Sequence, residues 1–183
     1  MIELLNIDCI DYMATLPDKA FDLAIVDPEY GIGEANKVKS RPIKARQKNG
    51  SYLFVKGARK YDVKDWDDNR PPELYFKELL RVSKNQIICG GNYFADLLPA
   101  SSGWVVWDKL NGDTDQSDCE LIYTSFNKGC RKFQFLWNGF IQGRTDDATR
   151  AQGDKKLNQQ RIHPTEKPIP LYKWILKNYA KEG

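Results

Sequence analysis

The sequence predicts an α/β domain built on a mostly parallel, doubly wound sheet with helices on both faces. Three observations carry that expectation. Short apolar runs, Phe21–Val26 and Gln86–Cys89, are each followed or preceded by segments whose apolar residues recur at helical spacing. The later part of the chain then adds a run of strands. Length is the third: 183 residues suffice for one domain with a real core, spanning 1–183, and are too few for two.

Taken in order, Ile2–Ile7 reads as a short strand, and Asp8 as a cap for a helix from Cys9 to Leu16 with Ile10, Met13 and Leu16 on one face. Pro17-Asp18-Lys19 is a turn into the Phe21–Val26 strand. From Gly31 to Lys64 periodicity disappears. Between Lys37 and Lys64 ten lysines and arginines face Asp62 alone among acids, so residues 31–64 read as a basic loop. Two readings of it stay open, a solvated mobile surface loop or a clamp for a polyanion that gains affinity by releasing phosphate counterions. Pro71-Pro72 opens a helix with Leu74, Phe76, Leu79, Leu80 and Val82 on its apolar face. Gln86–Cys89 is a buried strand, Gly90-Gly91-Asn92 a tight turn, and Tyr93–Leu98 a short helix ended by Pro99. Trp104–Asp108 is the next strand, followed by a polar loop from Asn111 to Ser117. Strands around Glu120–Ser125 and Lys132–Trp137 are expected to form a hairpin turned at Asn127-Lys128-Gly129. Residues 139–160 are again polar and irregular. After Pro168 and Pro170 a last amphipathic helix carries Leu171, Trp174, Ile175 and Tyr179, with Gly183 as its stop.

Composition narrows the function classes. The net charge of +3 is a mild excess and does not by itself argue for nucleic acid. No run approaches the ~18 consecutive apolar residues of a membrane span, and the amino terminus lacks the basic-then-apolar order of a secretion signal, so a cytoplasmic protein without membrane contact is expected. Cys9, Cys89, Cys119 and Cys130 are scattered, and His163 is the single histidine. Reduced structural thiols and no metal site are the expectation.

The chemistry is concentrated at Asp27-Pro28-Glu29-Tyr30-Gly31, at the carboxyl end of the Phe21–Val26 strand, where ligands sit in open α/β sheets. This corner resembles the Asp/Asn/Ser-Pro-Pro-Tyr/Phe/Trp motif of DNA methyltransferases that modify exocyclic amino groups. His163-Pro164-Thr165-Glu166-Lys167-Pro168 looks like the more specific His-Pro-Thr-x-Lys-Pro motif of the same family. Asn6-Ile7-Asp8-Cys9 is similar to its Gly-Asp-Cys segment, with Ile7 where glycine is usual. Asn85–Phe94, Trp104–Lys109 and Ser117-Asp118-Cys119-Glu120 resemble its middle strands. The order of these segments is that of the permuted, beta-type DNA amino-methyltransferases. The resemblance implies a Rossmann-like methyltransferase fold, S-adenosyl-L-methionine as cofactor and DNA as partner.

It also implies roles. An exocyclic amine is a poor nucleophile because its lone pair is delocalised into the base. Asp27 and the Pro28 carbonyl would accept both amine hydrogens, draw the nitrogen towards tetrahedral geometry and free it for direct attack on a methyl sulfonium. The base would be flipped out at a cost of a few kcal/mol, and stacking on Tyr30 would recover roughly 1–3 kcal/mol of it. Asp27, His163, Thr165 and Lys167 are assigned to the cofactor pocket. Asp8 stays open between that pocket and a plain helix cap. The target is adenine N6 or, as the second choice, cytosine N4.

Two departures bear on activity. Glu29 replaces the family's second proline, which is expected to loosen the Pro28 carbonyl and adds a negative charge beside the DNA site. The Phe-x-Gly-x-Gly-type cofactor loop that should follow the last helix does not occur before Gly183. The expectation is therefore a truncated or split enzyme with an incomplete fold. The strand ending at Asp27 would present an unpaired apolar edge, to be met by a second copy or by a complementary chain. The rival reading is a catalytically inactive DNA-binding or subunit-interaction module derived from the same fold.

Overall fold

A computed structural model of the chain describes residues 2–33, 44–46, 52–54, 67–110, 117–137, 143, 159 and 165–180. Its elements are helices α1 (Cys9–Ala14), α2 (Glu73–Val82) and α3 (Ile169–Tyr179), with a short 3₁₀ helix at Gly91–Phe94. The strands are β1 (Phe21–Val26), β2 (Lys44–Arg46), β3 (Tyr52–Phe54), β4 (Ser83–Cys89), β5 (Trp104–Asp108), β6 (Cys119–Thr124) and β7 (Arg131–Gln134).

The chain is an α/β fold around a mixed five-stranded sheet of order β1-β4-β6-β5-β7. β1 and β4 are parallel, as are β5 and β7, whereas β6 is antiparallel to both β4 and β5. Four strands thus run one way and β6 alone runs the other. A mixed sheet with most strands running one way is what the sequence predicts. The expected hairpin is corrected: β6 and β7 do not pair, because β5 lies between them and takes the hydrogen bonds of both.

Alternation along β4 divides the core. Ile87 and Cys89 face a cluster with Val105, Trp107, Ile122 and the α3 residues Leu171, Ile175 and Tyr179. Ile88 faces the opposite cluster, with Met13 of α1 and Tyr75, Phe76, Leu79 and Val82 of α2. Helices therefore cover both faces of the sheet.

Local chemistry fixes the approach of β1. The Asp8 carboxylate accepts from Ile10 N at 2.8 Å and Asp11 N at 3.2 Å, capping α1, a contact worth about 1 kcal/mol. Arg81 of α2 donates to Leu16 O at 2.8 Å and Met13 O at 2.7 Å, tying the end of α1 to α2. Lys19 donates through Nζ to Leu80 O and Ser83 O, satisfying carbonyls at the α2 terminus. The turn before β1 is thus anchored where α2 passes directly into β4, and β1 starts in register with it.

Other elements differ from expectation. Residues 2–7 form no strand: Ile2 and Leu4 are 92% exposed, and among the described residues no strand pairs with them. The basic stretch contains an antiparallel pair, β2 with β3, and its remainder lies outside the described residues. The expected Tyr93–Leu98 helix is a single 3₁₀ turn displaced to Gly91–Phe94. Of the irregular 139–160 segment, Gly143 and Gln159 are described, and Gly183 lies outside the described residues. All four cysteines are unpaired. Among the described residues no helix is long and apolar enough to cross a membrane.

Candidate functional site

The carboxyl ends of β1, β4 and β5 and the start of the reversed β6 lie on one edge of the sheet, which brings Asp27, Gly90, Lys109 and Glu120 to a common corner. Lys167 enters from the segment before α3. That segment is held by the Trp137 indole, which donates to Glu166 O at 3.0 Å, and by Gln159, which accepts from Ile169 N at 2.8 Å.

Lys167 is the centre of the site. It is 7% exposed, and its ammonium lies 2.8 Å from Asp27 Oδ1 and 3.1 Å from Glu120 Oε1. Lys109 Nζ approaches the other Glu120 oxygen at 3.3 Å. The Tyr30 hydroxyl stands 2.8 Å from Glu120 Oε1 and 3.2 Å from Asp27 Oδ1, so its one proton goes to one of two carboxylates that both border it. The Lys167 ammonium also lies 5.0 Å from the Tyr30 ring centroid, within cation–π range.

These contacts set the two acids apart. Burial raises the Asp27 carboxyl above the ordinary aspartate range, and Lys167 offsets this only in part. Burial also works against an ionised Glu120, but Lys167 and Lys109 together outweigh it and hold this acid below its ordinary range. Lys167 loses solvation by burial yet stays charged, because Glu120 and Asp27 raise it above the usual lysine range. Burial, Glu120 and Asp27 push the Tyr30 phenol far above its usual value, so it remains a neutral donor. The arrangement can offer a basic carboxylate at Asp27 beside a permanently charged Glu120–Lys167 pair.

The loop after Asp27 is pinned from an unexpected direction. Asp67, 2% exposed, accepts from both Tyr30 N and Gly31 N at 3.0 Å through one oxygen, and its carbonyl accepts from Gly33 N at 2.9 Å. Glu29 is exposed at the same turn. The restraint a second proline would provide is supplied here by hydrogen bonds to a buried acid. The Tyr30 ring stacks on Tyr93, centroids 4.7 Å apart, and lies over Gly90. Gly90 has φ 64°, and a Cβ there would collide with the Tyr30 ring, so both conformation and space require glycine.

Of the residues expected in the site, Asp27, Pro28, Tyr30 and Lys167 surround this corner, with Pro28 buried and Thr165 half-buried in the turn leading to Lys167. His163 lies outside the described residues. Asp8 serves as the α1 cap, one of the two roles left open for it. Glu120, Lys109, Asp67 and Tyr93 carry no role in the sequence reading. An acid at the start of the apolar run Leu121-Ile122-Tyr123 is a signal for Glu120, while nothing in Asp65-Trp66-Asp67-Asp68 singles out Asp67.

Among the described residues, several of those assigned to a cofactor pocket or beside it are engaged within the chain. Tyr30 lies against Gly90, Asp8 is engaged by backbone amides, and Lys167 is bound to two carboxylates. A cavity of about 410 Å³ between β5, β6 and β7, lined by residues including Asp108, Cys119 and Arg131, contains none of the expected site residues. No group of described side chains is arranged to hold a metal ion. No family model matches the chain, and no curated protein matches it.

Proposed function

We propose that Asp27, Pro28 and Tyr30 form the amine-binding corner of a beta-type DNA amino-methyltransferase on a Rossmann-like fold. The substrate is the exocyclic nitrogen of adenine (N6) or of cytosine (N4) in a flipped-out base, and S-adenosylmethionine is the methyl donor. One observation carries this reading: Lys167, from the His-Pro-Thr-x-Lys-Pro-like segment near one end of the chain, lies 2.8 Å from Asp27 of the Asp-Pro-x-Tyr corner near the other. Two segments that resemble motifs of one family and lie far apart in the sequence share an ion pair.

In this reading the Asp27 carboxylate accepts one amine hydrogen and the Pro28 carbonyl the other. The elevated basicity of Asp27 suits it to take the proton that an alkylated amine must lose. Tyr30, fixed by Asp67 and Tyr93, keeps Asp27 and Glu120 in place and closes the inner wall of the corner. The test is transfer of a labelled methyl group from S-adenosylmethionine to DNA of mixed sequence. Incorporation is expected, with a loss of at least about a hundredfold in Asp27→Ala, the scale of a lost general base.

A second reading, an inactive DNA-binding or subunit-interaction module, is favoured by one feature: the side chains of Asp27, Tyr30, Glu120 and Lys167 are already partnered with one another. Salt-sensitive DNA binding without methyl transfer would select it.

A further inference from the structure

We propose that Lys167 is a displaceable plug of the amine-binding corner, and that Glu120 is the positioning residue that holds it when a base amine takes its place at Asp27. This rests on the functional reading above and deepens it.

The Lys167 ammonium stands where a donor to Asp27 Oδ1 must stand, 2.8 Å from that oxygen and over the Tyr30 ring. An amine that is to give a hydrogen to this oxygen competes with Lys167 for the same position. Lys167 cannot retreat as a bare ion, because it is 7% exposed and an unpaired buried charge is strongly disfavoured. Glu120 Oε1, at 3.1 Å, is a second anion already bonded to it. A small rotation of the ammonium towards Glu120 frees Asp27 and leaves the charge paired throughout.

The surroundings suit this exchange. Among the described residues the charged groups joined at the corner are Asp27 after β1, Lys109 after β5, Glu120 from β6 and Lys167 before α3, two acids and two lysines. A neutral amine entering in place of one Lys167 contact leaves that balance unchanged. Tyr30, Cys89 and Tyr172 face the same cluster, and burial raises all three, so they stay neutral and supply no competing ion. Lys109, on the far oxygen of Glu120, reduces the pull of Glu120 on Lys167 and so sets how readily the plug moves. Without Glu120, Asp27 is the only anion in reach among the described residues, and the plug is locked.

The experiment compares binding of the full chain to two single-stranded oligonucleotides, one of adenine deoxynucleotides and one of purine deoxynucleotides that lack the amino group. A matched pair of cytosine and its deaminated-ring analogue lacking the amine covers the other base. The ratio of affinities within a pair reads the amine contact alone. Wild type is expected to prefer the amine-bearing strand, and Asp27→Ala to lose that preference. Glu120→Gln is expected to lower the preference about tenfold, as the fraction of chains with Asp27 free falls. The double variant Glu120→Gln/Lys167→Met is expected to regain it, because the plug itself is gone; a merely structural role for Glu120 gives no such rescue. An unchanged preference in Glu120→Gln, or a double variant as poor as the single one, overturns the plug and leaves the amine-binding reading standing. A wild-type chain with no amine preference overturns both. If circular dichroism shows Glu120→Gln unfolded, Lys109→Met decides instead: the preference should rise several-fold, and an unchanged or reduced value rejects the plug.

Discussion

Asp27 and Glu120 touch the same ammonium and titrate in opposite directions, one raised and one lowered. Glu120, the more buried of the two, has two lysines and Asp27 has one, so Asp27 is left short of compensation for its partial burial. The consequence for stability follows from linkage. A carboxyl whose folded value is raised contributes its stability below its unfolded value and loses it as pH rises through the folded one. At neutral pH ionised Asp27 therefore opposes folding, and Asp27→Asn, which mimics the protonated form, should raise the thermal unfolding midpoint. The gain should fade as the pH falls through the elevated range of Asp27 into the ordinary range of aspartate. A lower midpoint for Asp27→Asn at neutral pH would show that its ion pair outweighs its burial. Asp27, Pro28 and Tyr30 were legible because they are contiguous and follow an apolar run. Glu120 and Asp67 were not, because their roles arise from a reversed strand and a distant loop that no local pattern reports.

The α3 helix shows what periodicity does and does not reveal. Leu171, Ile175 and Tyr179 recur at helical spacing and are buried, while Leu176 stands 48% exposed on the same helix. Leu171 is fully buried four residues after Lys167, so packing of α3 on the sheet sets where the ammonium enters. Leu171→Ala should lower the unfolding free energy by about 2–5 kcal/mol, the usual range for a large buried aliphatic. Leu176→Ala should change it by less than about 0.5 kcal/mol. Urea unfolding of the two variants checks the orientation of the helix, and equal losses would contradict it. Strand pairing was less legible than strand position. β6 carries an apolar run and the segment of β7 alternates, and the two are joined by a short Asn127-Lys128-Gly129 link, the pattern of a hairpin. Yet β7 pairs with β5, because Phe133, Phe135 and Trp137 join the apolar face that Trp107 presents beside α3. A sequence reports which residues want burial, and the partner strand is chosen by the whole face.

The two clusters on either side of the sheet meet β4 along most of its length, whereas β1 lies at the edge of the sheet with β4 as its one strand neighbour among the described residues. Both faces of β1 are only half-covered from Leu23 to Val26, and Phe21 is 39% exposed. The strand that delivers Asp27 is thus the least enclosed of those that build the corner. This asymmetry has a measurable form. In a parallel pair each strand gives alternate N–H groups to its neighbour, so β1 should show amide exchange that alternates along Phe21–Val26, protected and unprotected in turn. β4 pairs on both sides towards its carboxyl end, at Ile87 and Ile88. Those amides should be uniformly slow and approach the protection set by global unfolding. Hydrogen exchange followed by NMR at several protein concentrations tests both statements. Alternation that persists at all concentrations means β1 keeps one open edge in solution. Uniform protection of β1 that grows with concentration would mean that copies of the chain pair along that edge, as an unguarded apolar strand permits. Such pairing would seat a neighbour beside Asp27, and the corner it builds with Glu120 and Lys167 would then belong to an assembly.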